Sequence, residues 1–119
     1  MAETKQYITQ AQEYGAVMIS EEVVAAIVIN ALKDVDGIVG IGGKLGFDLI
    51  SLKNWAKALN VTIVDDQTIR IDCSIIVVYG QSVIEVAKNA QDVICSAVED
   101  MVGIKPNAVN ISVSGIARQ

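Results

Sequence analysis

The stretch TIRIDCSIIVVY, residues 68–79, determines the architecture of this chain. Its odd positions, from Ile69 to Tyr79, are apolar, whereas positions 70, 72 and 74 are polar. Alternation with a period of two is typical of a β-strand that buries one face. Ile76 and Val78 make the second half of the strand apolar on both faces, so that half requires cover on two sides.

The residues after this strand predict a helix and a final strand. Ser82 and Glu85 have the spacing of a capping box at the start of a helix. Apolar residues at helical spacing then continue from residue 83 to residue 101. Gly103 is expected to end this helix, and Pro106 prevents the helix from resuming. Apolar and polar residues alternate over residues 109–114, which predicts the last strand.

The residues before the long strand predict a hairpin and an earlier strand and helix. Residues 60–64 are expected to pair with the long strand through a turn at residues 65–67. Gly15 to Ile19 has the composition of a short strand, and Ser20 caps a helix predicted to run to about Asp36. Gly37 then stands where a left-handed C-terminal cap is expected.

The glycine-rich stretch GIVGIGGKLGFD, residues 37–48, has the composition of a phosphate-binding loop. A phosphate loop leads from a strand into a helix, however, whereas Gly37 follows a helix. The Walker pattern also needs Ser or Thr after Lys44, and this chain has Leu45. We therefore predict a connecting loop without a bound nucleotide. A helical apolar stripe over residues 45–59 suggests a short third helix.

Together these elements predict an α+β fold. We expect a two-layer sandwich in which a small mixed β-sheet carries two principal helices on one face. Residues 1–14 are predicted to be a flexible N-terminal segment, and residues 15–119 a single domain.

Composition argues against familiar catalytic sites. The 119 residues include no histidine, which removes the usual general base and the commonest metal ligand. Cys73 and Cys95 lack metal-ligand spacing and are predicted to be reduced packing residues. The net charge of −5 disfavours nucleic acid and direct binding to anionic lipid. We therefore expect a cytoplasmic protein that is not an enzyme, with no catalytic residues, no cofactor and no metal.

The predicted elements carry more apolar surface than one small sheet can cover. The first helix has Val23, Ala26 and Ile29 outside its main apolar stripe, and the long strand has Ile76 and Val78 on its second face. These five residues are our candidate interaction surface. They favour self-association, although the middle of the chain could also cover them.

Two blocks of the sequence resemble the alkaline shock protein family of Gram-positive bacteria, the envelope stress response proteins. The first is GAVMISEEVVAAIVINALKDVDGIVGI, which begins at residue 15. The second begins with IDCSIIVVYG at residue 71 and is more specific from Tyr79 and Gly80, through Glu85, to residues 109–111. The resemblance covers most of the chain and is weakest over residues 43–59.

This resemblance implies a non-enzymatic cytoplasmic protein, linked to the response of the cell envelope to stress, with no catalytic residues to carry over. It also implies partners: other copies of the chain, in a homo-oligomer, and a membrane-anchored relative of the same family. The protein would then lie at the membrane periphery through that protein anchor and without binding lipid directly.

An RNA-binding module of the KH type is the alternative hypothesis. The predicted order of helices and strands is similar to that fold, and Gly43 and Gly46 have the spacing of its glycine loop. Lys53 and Lys57 would then contact the RNA. The acidic net charge weighs against this function, and a carboxylate-bound metal enzyme is a weaker third hypothesis because it lacks evident ligands.

Overall fold

The computed structural model describes residues 7–41, 44–45, 59–65 and 68–118 of the chain. The elements in chain order are β1 (Tyr7–Gln12), β2 (Gly15–Ser20), α1 (Glu21–Lys33), β3 (Ile38–Ile41), β4 (Lys44–Leu45), β5 (Leu59–Asp65), β6 (Thr68–Val78), α2 (Val83–Val102) and β7 (Ala108–Ala117).

β6 is the central strand of a five-stranded mixed sheet. β7 runs parallel to β6 along one of its edges, from residue 70 to residue 78 of β6. Two antiparallel strands lie end to end along the other edge: β5 pairs with residues 68–73 of β6, and β3 pairs with residues 75–77. β3 in turn pairs with the short strand β4. The sheet is therefore mixed, as the sequence predicts.

The two helices cover one face of this sheet and enclose the core. The alternating side chains of β6 from Ile69 to Val77 are all buried, together with residues on α1, α2, β3 and β5. Val86, Ala90, Ile94, Val98 and Val102 are the buried stripe of α2. The predicted two-layer α+β sandwich, with two principal helices on one face, is confirmed. Tyr79 lies just beyond β6 and is 64% exposed, so its predicted place on the buried face is wrong.

Both helices begin at the predicted serine caps. Ser20 Oγ accepts a hydrogen bond from Val23 N at 3.4 Å, and Ser82 Oγ accepts one from Glu85 N at 3.4 Å. α2 ends at Gly103, whose φ of 87° is left-handed, as predicted.

α1 ends earlier than predicted, at Lys33 with Asp34 as its C-cap, and Gly37 lies three residues beyond that cap. Gly37 does have a positive φ of 96°. Close packing favours a glycine at this position, because a Cβ on residue 37 would lie 2.9 Å from Val86 Cγ2. The glycine therefore lets the chain pass close to α2 before it enters β3.

A two-stranded antiparallel hairpin of β1 and β2 precedes the sandwich, joined by the two residues Glu13 and Tyr14. The predicted strand at Gly15 is β2, whereas β1 was not anticipated, because YITQAQ has too little apolar alternation to indicate a strand. It lies within the predicted flexible segment of residues 1–14, whose flexibility stays a prediction. Leu45 and Leu59, the ends of the predicted third helix, lie in strands, and residues 46–58 between them lie outside the described residues.

Candidate interaction surface

A groove of about 740 Å³ lies between α1 and the C-terminal part of α2. Two large apolar side chains are exposed in this groove: Val23, which is 49% exposed, and Met101, which is 69% exposed. The apolar lining residues are Val23, Ala26, Ile27, Ala31, Ala97 and Met101. The polar lining residues are Ser20, Glu22, Asn30 and Asp34.

The shape of the groove follows from helix direction and side-chain size. Val23 is in the first turn of α1 and Met101 is in the last turn of α2, so the helices are antiparallel. Three of the lining residues, Ala26, Ala31 and Ala97, have only a methyl side chain. Small residues along both helices leave room that larger side chains would fill. The result is a trough with a largely apolar lining.

The groove is acidic in character. Glu22 and Asp34 line it, and no lysine or arginine is among its lining residues. Within the described residues, neither carboxylate makes an ion pair. The ion pair found there joins Arg70 Nε to Asp72 Oδ2, 3.5 Å apart and outside the groove. Partial burial also raises the pKa of the neighbouring Glu21 carboxyl. A ligand in the groove would therefore meet apolar side chains and negative charge.

The five residues of the predicted interaction surface do not form one surface in the structure. Val23 and Ala26 both line the groove. Ile29 is 7% exposed and Ile76 is 8% exposed, so neither offers surface to another molecule. Val78 is half-buried, on the opposite face of the sheet from the helices. Whether Val23 and Ala26 bind a partner stays a prediction.

Ile76 is buried although it lies on the face of the sheet that α1 and α2 do not cover. Gly40 on β3 and Gly115 on β7 flank Ile76 on the two neighbouring strands. A Cβ at Gly115 would lie 3.8 Å from Ile76 Cγ1, so the two positions are in ordinary van der Waals contact. Because Ile76 is 8% exposed in a single copy, the cover that the sequence assigned to another chain is supplied within this one.

Met101 and Ala97 belong to the groove but were not anticipated as surface residues. Their helical spacing places both with the apolar stripe of α2, which predicts burial. Met101 is exposed because it lies in the last turn of the helix, where the next residue, Val102, completes the buried stripe. Its place two residues before Gly103 is the signal that could have identified it.

Other exposed large apolar side chains lie outside the groove. Tyr14, Val17 and Met18 belong to the N-terminal hairpin, where Tyr14 is 96% exposed. Tyr79 and Ile116 lie near the C-terminal end of β7, where Tyr79 N donates to Ala117 O at 2.7 Å, and Ile84 is in the first turn of α2. The guanidinium of Arg118 lies 5.1 Å from the centre of the Tyr79 ring, within the range of a cation–π contact.

The two thiols are unsuited to nucleophilic chemistry. Burial raises the pKa of the Cys73 thiol to about 12, and a backbone hydrogen bond at Ser74 offsets this only in part. Burial also raises the pKa of Cys95, with nearby Lys105 opposing the shift. Because the thiolate is the reactive form, both cysteines stay protonated and unreactive at neutral pH.

Neither described helix is long and apolar enough to cross a membrane. Gly43, Gly46, Lys53 and Lys57, the residues of the RNA-binding alternative, lie outside the described residues.

Comparison with known proteins identifies relatives over almost the whole chain. The model of the alkaline shock protein 23 family, whose description is a cell envelope-related function, matches residues 9–118. The uncharacterized protein YloU of Bacillus subtilis is 34% identical over 109 residues, covering 87% of this chain and 90% of YloU. The uncharacterized protein YqhY of the same organism is 30% identical, covering 86% of this chain and 77% of YqhY.

Solved structures of the MamM CTD share the fold. One aligns with a TM-score of 0.56 at 18% identity, over 79% of this chain and 93% of the MamM chain. A second structure, of a variant in a nickel form, gives the same TM-score and identity, and the alignment covers 96% of that chain. At this level of identity the comparison establishes a common architecture and no more.

Proposed function

This chain belongs to the alkaline shock protein 23 family, which has a cell envelope-related function, and we propose that it serves the envelope stress response as a non-enzymatic protein. It acts through self-association and through protein partners, and a membrane-anchored relative of the same family holds it near the membrane. The groove between α1 and α2 is the observation that carries this proposal.

The groove suits a helix of a partner protein. An amphipathic helix binds such a trough by placing its apolar face between the two helices that form it. Val23 and Met101, the two large exposed apolar residues in the groove, would contact that face. Glu22 and Asp34 favour a helix that also carries Lys or Arg beside its apolar face.

Charge also connects this partner to a membrane. Cytoplasmic segments next to membrane-spanning helices carry an excess of Lys and Arg. Such a segment complements the acidic groove, whereas anionic lipid repels a chain with a net charge of −5. A membrane-anchored protein is therefore a better ligand for this surface than the lipid itself.

A non-enzymatic role agrees with the side chains available. The chain has no histidine, and the pKa values of its two thiols are raised by burial. The open apolar groove instead has the composition of a surface for protein recognition.

Native co-purification from the host, after gentle cross-linking, tests this function. The tagged wild-type chain is expected to recover other copies of itself and a membrane-anchored relative, equally with and without nuclease. Met101→Lys should lose the relative, because it places a positive charge where a basic helix would bind. Lysine in the last turn of a helix is favourable with respect to the helix dipole, so α2 should stay folded.

Met18→Lys is the matched control, because Met18 is 60% exposed on the N-terminal hairpin and lies outside the groove. This control should recover the relative as well as the wild type does. Equal recovery by Met101→Lys and Met18→Lys would refute the role of the groove. Loss of all partners on nuclease treatment would refute the protein-partner function.

A further inference from the structure

We infer that two copies of this chain pair edge to edge through β7, antiparallel to each other, so that their sheets become continuous. This inference rests on the self-association in the proposed function. It assigns that association to a surface separate from the groove.

β7 has the features of a strand that can accept another strand. One of its edges pairs with β6, and no described strand pairs with the other edge. Its sequence, AVNISVSGIA, has no charged residue and no proline. Natural edge strands commonly carry such residues, or are short or bulged, because they prevent pairing with another chain. A register shift at Ser114 does interrupt β7, so the regular part is residues 108–113.

The cover over β7 is also incomplete. Ile71, Ile75 and Val77 on β6 point into the core and are fully buried. Val109 on β7 is also buried, but Ile111 and Val113, which point the same way, are only partly buried against the core. The helix layer therefore leaves the middle of β7 partly uncovered. A second copy would extend both layers, because its own β7 and α2 would lie directly beside those of the first copy.

The flank of α2 that lies above β7 would meet the same flank of the second copy. Gln91 marks this flank, because its Nε2 donates to Val109 O at 2.9 Å. Lys88 lies one turn before Gln91, and Glu99 lies two turns after it. Twofold symmetry makes the two α2 helices antiparallel, which brings the Lys88 half of one helix beside the Glu99 half of the other. Opposed helix dipoles then favour the pair, and the Lys88–Glu99 pairs offset part of the repulsion among the four acidic residues of each α2.

The groove is a poorer surface for a second copy. Two grooves that faced each other across a twofold axis would bring Glu22 and Asp34 of one copy towards the same carboxylates of the other. Like charges placed together in this way oppose binding. The paired strands themselves meet no such opposition, because β7 carries no charged residue.

Analytical ultracentrifugation of the full chain over a range of concentrations tests the inference. The wild type is expected to form a dimer. The double variant Asn110→Lys/Ser112→Lys places like charges on neighbouring strands at the edge, and we expect it to raise the Kd of the dimer at least about tenfold. Because salt screens this repulsion, 1 M salt, where the Debye length is about 3 Å, should restore the dimer. Salt would not restore a misfolded chain in this way.

Asn60→Lys/Thr62→Lys is the matched control, since these exposed residues lie on the same face of the sheet but on β5. It should dimerise as the wild type does, and far-UV circular dichroism should be unchanged for both double variants. A second readout comes from single cysteines placed in turn at Asn110, Ile111 and Ser112. Mild oxidation should cross-link the variant whose cysteines meet across the twofold axis, which Thr62→Cys should not do.

Three outcomes would overturn the β7 interface: a monomeric wild type, equal weakening by the β5 and β7 variants, or dissociation by Met101→Lys. The last of these would place the second copy in the groove. Recovery of the membrane-anchored relative by a monomeric wild type would leave the partner function standing while removing this dimer. The two proposals therefore fail separately.

Discussion

Replacing Gly37 by alanine tests how closely the chain between α1 and β3 packs against α2. The φ of Gly37 is +96°, a conformation that residues with a Cβ rarely adopt. A Cβ at this position would lie 2.8 Å from Gln81 Oε1 and 2.9 Å from Val86 Cγ2. Two penalties therefore apply to Gly37→Ala: backbone strain and steric overlap.

The two penalties have different sizes. A left-handed conformation at a non-glycine residue costs about 1–2 kcal/mol. The exposed Gln81 side chain can move away, but Val86 is 3% exposed and β-branched, so its χ1 is restricted within the helix. Relief of that contact requires a shift of α2 or of the turn, at about 1–3 kcal/mol. We expect Gly37→Ala to lower the free energy of unfolding by about 2–5 kcal/mol.

Gly80→Ala is the matched control. Gly80 has a similar φ of +106°, but a Cβ there would meet no atom within 4 Å. Its cost should therefore be the backbone strain alone, about 1–2 kcal/mol. Urea unfolding followed by circular dichroism at one protein concentration measures both variants. In a Val86→Ala background, Gly37→Ala should cost no more than Gly80→Ala does. Equal destabilisation of the two glycine variants in the wild-type background would refute the proposed overlap with Val86.

Three further predictions concern local interactions. Ser82→Ala removes the N-cap of α2 and should cost about 1 kcal/mol in urea unfolding, whereas Ser96→Ala, at an exposed position within α2, should not destabilise the chain. Asn107→Ala removes the acceptor of the Ile69 N hydrogen bond, 3.3 Å long, and should cost about 1 kcal/mol; a Tm unchanged by this substitution would contradict it. Because burial raises the pKa of Cys73 from 9.0 to about 12, the unfolded chain loses this proton first, and stability should fall as the pH rises from about 9 towards 12. Cys73→Val should show a smaller fall between pH 8 and pH 10.5 in urea midpoints, and an equal fall would argue against burial of the thiol.

The sequence predicts the sandwich well because its main elements have strong local signals. β6 alternates with a period of two over its polar half, and α2 combines a capping box, a long apolar stripe and a left-handed glycine. The end of α1 is misplaced by the same local reasoning. Gly37 has the sequence context of a helix cap, but its conformation is fixed by contact with Val86 from a distant part of the chain. Sequence spacing alone contains no information about that contact.

The candidate surface was predicted only in part, for a related reason. Excess apolar residues on α1 indicated that a surface was present, and Val23 and Ala26 are indeed part of the groove. The pattern could not indicate that Ile76 is buried within a single copy, since its neighbours Gly40 and Gly115 lie on two other strands. Nor could it separate Met101 from the buried stripe of α2, because in the last turn of the helix Val102 is the buried residue and Met101 lines the groove.

The two proposed surfaces lie on different sides of the molecule, which has a consequence for binding at a membrane. The groove is formed by α1 and α2, whereas the pairing edge is β7, so a dimer would still present two open grooves. Partners held in one membrane can occupy both grooves at once, and the second contact then forms at a high effective concentration. Such linkage can raise the overall affinity by about 10²–10⁴ without any new contact. If both proposals hold, a modest affinity of each acidic groove for a basic helix would keep the dimer near the membrane, and loss of β7 pairing would release it although every groove stays intact.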